Sequence, residues 1–162
     1  MEYRCVTTSV AGFVQQLAVS YISNGYWFYV MGRIPPHKDP ARIDRKLIAK
    51  YDIAISKWAR YRRKKRGLAN LQYLRYDRTF VLIATHGSHH FFHDEAGNIS
   101  DVRRRPIQFA GYSISYRNGA DQKWHTSVRI SRATYRRIKT RLLSMARSAS
   151  GEDLVIELRQ LP

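Results

Sequence analysis

A chain of 162 residues with 44% hydrophobic and 12% aromatic content can bury roughly two-thirds of its unfolded surface in one core, which excludes a disordered tail. Twenty-nine Lys and Arg against 12 Asp and Glu leave a net charge of +17; solubility asks for only about 2–8, so a polyanionic partner is expected. With one cysteine, Cys5, and no apolar run longer than Tyr26–Met31, the sequence excludes an internal disulfide, a cysteine-based zinc site and a spanning helix of about 20 residues.

Val10, Phe13, Val14, Leu17, Ala18, Tyr21 and Ile22 fall on one helical face, with Ser9 as a cap and Asn24-Gly25 as a stop. Residues 26–34 read as a strand ended by Pro35-Pro36. Asp39-Pro40 opens a helix carrying Ile43, Leu47 and Tyr51, and Ser56 opens a second that stops at Gly67. Residues 71–76 and 79–85 predict a hairpin about Asp77-Arg78. The stretch 86–105 reads as a mobile loop long enough to be a functional insertion. Residues 107–116 and 124–130 predict a second hairpin about Asn118-Gly119. Ser131 opens a helix to about Arg147, and Ser150 with Asp153 a last one carrying Leu154, Leu158 and Leu161. This order predicts one α+β domain over residues 1–162, with a single antiparallel sheet of about five strands and helices packed on it.

Charge is concentrated in three runs. Lys57–Arg66 holds seven basic residues in ten, and Asp77 is the only acid between Ala54 and His93. On a helix Arg60, Arg63 and Lys64 share a face flanked by Arg62 and Arg66; with Lys57 and Lys65 they form the first predicted phosphate-binding set. Trp58 and Tyr61 are read first as anchors of this helix, with Tyr61 also a stacking candidate. Arg103, Arg104 and Arg105 form the second set. The third is Arg132, Arg136, Arg137, Lys139 and Arg141, with Arg147 beyond, opposite an apolar stripe of Tyr135, Ile138, Leu142 and Met145. Arginine's planar fork suits phosphate and also stacks on bases. Six to ten such contacts would cost roughly 10³–10⁵-fold in affinity between about 50 and 200 mM salt.

Strand alternation places Tyr26, Phe28, Val30 and Ile34 on one face of residues 26–34 and Trp27, Tyr29, Met31 and Arg33 on the other. If the second face is open, Trp27 and Tyr29 form a base-stacking platform; if covered, they are core. On 124–130, His125, Ser127 and Arg129 form a polar face opposite Trp124, Thr126, Val128 and Ile130.

Four of the six histidines lie in His86-Gly-Ser-His89-His90-Phe-Phe-His93, followed by Asp94 and Glu95. His89 and His93 would be about 13 Å apart on a strand but neighbours on a helical turn, where they can share a metal. Tyr135-Arg-Arg-Ile-Lys139 resembles the tyrosine–lysine helix of single-strand nicking enzymes of the rolling-circle initiator and relaxase type. That resemblance implies Tyr135 as nucleophile and histidines as metal ligands. His90-Phe-Phe-His93 departs from the family's pair, which flanks one residue.

The expected function is nonenzymatic nucleic-acid binding, with RNA preferred over DNA, in the cytoplasm and with no cofactor, metal or membrane. The chain would serve as an accessory or structural subunit of a ribonucleoprotein or mobile-element complex. Arg129 joins the three runs as a contact residue. The alternative is a metal-dependent single-strand nuclease using the histidines and Tyr135.

Overall fold

The computed structural model describes residues 3–148 and 150–160. Three layers stack about a central sheet whose strands run in the order β1 (Val6–Thr7), β3 (Leu71–Tyr76), β4 (Thr79–Thr85), β2 (Tyr26–Arg33), β5 (Ser100–Asp101). This sheet is mixed, because β1 runs parallel to β3. A second sheet, β6 (Ile107–Phe109), β7 (Tyr112–Asn118) and β8 (Trp124–Ile130), shares no strand pairing with it. The single antiparallel sheet expected from sequence is therefore corrected to two. The stretch 107–116 is broken by Ala110 and Gly111, both at positive φ (47° and 85°), which turns β6 back onto β7.

The predicted hairpin 71–76/79–85 forms, with Asp77 in the left-handed region at φ 50°. Both faces of its strands are covered, which suits their continuous apolar runs. Leu74, Val81 and Ile83 face one cluster with Phe13, Leu17, Ile22, Ile107 and Ile114. Leu71, Tyr73, Leu82 and Ala84 face the other with Tyr51, Ile53 and Phe91.

The first cluster lies under α1 (Val10–Gln15), which continues as a π-helical turn and a 3₁₀ turn to Asn24. Ser9 caps it by accepting the Gly12 N–H at 3.0 Å, and Gly25 at φ 91° ends it. The second lies under α2 (Pro40–Lys50), whose cap Asp39 accepts the Ala41 N–H at 3.1 Å. A helix α3 (Lys57–Lys65) follows.

The segment read as a mobile loop, 86–105, is instead built into the fold. It contains α4 (Phe91–Asp94) and β5, and it buries Phe91 and Val102 completely. Two such side chains stabilise their segment by about 1.5–3 kcal/mol each, enough to tie it to both clusters.

The chain closes with α5 (Arg132–Ser148) and α6 (Gly151–Arg159), the latter opened by a reciprocal Ser150–Asp153 capping box. Leu158 is exposed rather than core. Leu161 and the side chain of Leu154, read as its companions, lie outside the described residues. Among the described residues no helix is long and apolar enough to cross a membrane.

Candidate nucleic-acid interface

Helix α3 starts where Ser56 accepts the Ala59 N–H at 3.2 Å and stops before Gly67 at φ 71°. Arg62, Arg63, Lys64 and Lys65 crowd its last turn, where the helix dipole favours cations. Its footing is not aromatic. The Arg60 guanidinium donates to the Ile53 carbonyl at 3.2 Å, while the Arg60 carbonyl accepts from Asn70 Nδ2 at 3.0 Å. Arg63 is ion-paired with Asp52 and donates to its carbonyl at 3.3 Å.

Arg60 and Arg63, predicted to share a phosphate-binding face with Lys64, therefore hold the helix down instead. Trp58 and Tyr61, read as anchors, are 73% and 53% exposed. With Arg62 and Lys65 they occupy positions three, four and seven apart, a single solvent-facing stripe. Lys65 Nζ lies 5.0 Å from the Tyr61 ring centroid. Lys57, Lys64 and Arg66 are exposed beside the stripe.

The end of α3 is stitched to the start of the 86–105 segment. Ser88 N–H donates to the Gly67 carbonyl at 3.0 Å and Ala69 N–H to the Ser88 carbonyl at 3.1 Å. Gly87, at φ 137°, permits this approach: a Cβ there would sit 2.6 Å from the Ala69 nitrogen.

The second basic run is partly committed. Arg103 grips Asp101 with its Nε at 3.0 and 3.1 Å from the two carboxylate oxygens and a terminal nitrogen at 2.7 Å. Its guanidinium carbon also lies 4.4 Å from the Trp27 ring centroid. These arginine contacts hold the Asp101 carboxyl below its usual range against the opposing effect of burial. Arg104 and Arg105 are exposed.

Trp27 in turn stacks on Tyr116 at 5.5 Å, and Tyr116 on Trp124 at 5.6 Å. The second sheet thus covers the strand face on which Trp27 and Tyr29 were to form an open platform. Tyr29 is 6% exposed and donates its hydroxyl to the Arg105 carbonyl at 3.0 Å. Both are structural here. Tyr26 joins this same face because β2 is irregular between Tyr26 and Phe28, where strict alternation placed it opposite.

In the third run Arg132, Arg136, Arg137, Lys139 and Arg147 are exposed, while Arg141 is bound bidentately to Glu157 at 2.8 and 2.9 Å. Tyr135 is 58% exposed, outside the buried stripe predicted for it; Ile138, Leu142 and Met145 are half-buried. Arg129 is exposed and donates Nε to Ser127 Oγ at 3.1 Å. Helix α3 is joined to the cluster under α2, whereas α5 begins beside Gly111 of the second sheet, so these runs are rooted in opposite layers.

Three of the four clustered histidines have partners, and His86 is exposed. His89 Nδ1 accepts the Phe91 N–H at 3.1 Å, and its ring stacks on His90 at 4.3 Å. Burial first, then the neighbouring His90 and Arg63 charges, pull its pKa below the usual value. His90 stacks on Tyr51, with Nε2 3.0 Å from the Lys50 carbonyl, and His93 is exposed beside Asp94. Among the described residues no three His, Cys, Asp or Glu side chains gather as a metal site.

Sequence reasoning missed an open cleft of about 680 Å³ where the 86–105 segment passes Phe28, with His86, Phe92, Ile99 and Arg104 among its walls. Its walls come from segments distant in sequence, which no local pattern joins. Comparisons with known protein families, curated proteins and solved structures find no match to this chain.

Proposed function

We propose that the protein binds nucleic acid, RNA in preference to DNA, as a noncatalytic subunit of a ribonucleoprotein or mobile-element complex. The observation that carries the reading is the stripe Trp58, Tyr61, Arg62 and Lys65 on the open face of α3. Water is a poor environment for an exposed tryptophan on so basic a helix, and the cations beside it pay a repulsion penalty that phosphates relieve. Unpaired bases stack on the rings while Lys57, Arg62, Lys64, Lys65 and Arg66 neutralise the phosphates between them. RNA is favoured because its loops and bulges present unpaired bases, which duplex DNA keeps stacked. Arg104, Arg105, Arg129 and the exposed cations of α5 add sequence-independent attraction.

The test is fluorescence anisotropy with labelled single-stranded RNA, single-stranded DNA and duplex DNA. The reading expects single-stranded RNA to bind tightest. It also expects Arg62→Glu/Lys65→Glu to weaken binding at least tenfold with the fold unchanged by circular dichroism. Equal affinity for all three ligands, or no effect of the double variant, would overturn it.

A further inference from the structure

We propose that the cleft lined by Phe28, Phe92, Ile99, His86 and Arg104 holds one unpaired nucleotide of the bound strand. Its base lies against the phenylalanines and its phosphate is held by Arg104 and His86. The inference rests on the nucleic-acid reading above and deepens it by giving that strand a specific seat.

Four observations carry it. The cleft, at about 680 Å³, is of ligand size, within the range of about 300–1,000 Å³ usual for small-molecule sites. One wall is apolar: Phe28 and Phe92 meet edge-to-face at 5.5 Å, and with Ile99 they fringe the core cluster without being fully covered by it. Aromatic surface of this kind accepts any base through its π-face.

The rim carries two arginines and a histidine, and they differ in availability. Arg103 is spent on Asp101 and lies over the Trp27 and Phe28 rings, so it extends the wall and masks the one carboxylate there. Arg104 and His86 make no ion pair or side-chain hydrogen bond among the described residues.

The cleft also continues the α3 surface. His86 is two residues from Ser88, whose backbone is bonded to Gly67, the residue after Arg66. A strand following Lys65 and Arg66 therefore arrives at the cleft mouth. A base paired and stacked in a duplex keeps its faces away from the cleft wall, so the site selects unpaired nucleotides.

The experiment uses a short single-stranded oligoribonucleotide with 2-aminopurine at its centre, in complex with the full chain carrying Trp58→Ala/Tyr61→Ala to remove stacking on α3. Stacking in the cleft quenches the probe's fluorescence at saturating protein. Ala96→Trp, which fills the cleft from an exposed wall position, and Arg104→Ala each restore the fluorescence at least twofold. The same oligonucleotide annealed to its complement, where neighbouring bases already quench the probe, shows no further change on adding protein. A complex that forms by anisotropy but shows no quenching, or quenching that both cleft variants leave intact, overturns the cleft proposal and leaves the α3 reading standing. Absence of any complex with the parent chain overturns both.

Discussion

Arg75 holds Asp44 with its Nε 2.9 Å from both carboxylate oxygens and a terminal nitrogen 2.8 Å from one of them. The pair lies between α2 and β3, almost wholly buried, and Tyr73 donates its hydroxyl to the same carboxylate at 2.6 Å. This carboxylate sits on the inner side of α2, where only apolar residues were expected. Removing one partner leaves a buried charge without compensation, which costs about 3–5 kcal/mol. Asp44→Ala is therefore expected to lose at least about 3 kcal/mol in urea unfolding. A loss below about 1 kcal/mol would mean that the pair does not join helix to sheet.

The caps and the hairpin were legible because their causes are local. Ser9, Asp39, Ser56 and Ser150 each offer a side-chain oxygen to an adjacent helix, and each is used. What the sequence hid is tertiary. Nothing local says that Arg60 and Arg63 find backbone carbonyls and a carboxylate beneath α3, so that Trp58 faces water. The spacing of Trp58, Tyr61, Arg62 and Lys65 did mark one helical face, but periodicity alone does not say which face is buried. Likewise the second sheet's covering of Tyr29 depends on long-range packing.

Trp58→Ala should leave unfolding free energy within about 0.5 kcal/mol of the parent, since an exposed ring has little to lose on truncation. Its affinity for single-stranded RNA should fall by about 1–3 kcal/mol, the worth of one stacked base. Anisotropy titrations beside urea unfolding measure both. A stability loss above about 2 kcal/mol with unchanged affinity would return Trp58 to the role of an anchor.

Gly87→Ala should destabilise the junction between α3 and the 86–105 segment. Its backbone sits at φ 137°, and the added methyl would meet Ala69 N and Gly67 O at 2.6 and 2.7 Å, both of them backbone atoms. Hydrogen exchange at Ser88 and Ala69, whose amides bridge the two segments, is expected to accelerate at least tenfold. Unchanged protection would show that the approach tolerates a side chain.

His89 gives stability a sign in acid. Burial, with help from His90 and Arg63, depresses its pKa in the folded state below the ordinary value of 6.5. Between that ordinary value and the lower folded one, the unfolded chain binds a proton that the folded chain does not. Unfolding free energy therefore falls as pH drops below about 6.5. His89→Asn, whose amide oxygen takes the place of Nδ1 and can still accept the Phe91 N–H, should show a shallower fall between about pH 7 and pH 5 than the parent. Identical slopes would remove His89 as a source of the pH dependence.

The central claim is that exposed cations of α3 meet phosphates, and its most direct measure is the salt dependence of single-stranded RNA affinity. Each neutralised phosphate of a single strand contributes about 0.7 to the slope of log affinity against log salt. Lys57, Arg62, Lys64, Lys65 and Arg66 are exposed and make no ion pair among the described residues, while Arg60 and Arg63 are held internally. A slope of about −3.5 or steeper is expected, becoming shallower by about 1.4 in Arg62→Ala/Lys65→Ala. A slope near zero, or one that the double variant leaves unchanged, would contradict the account.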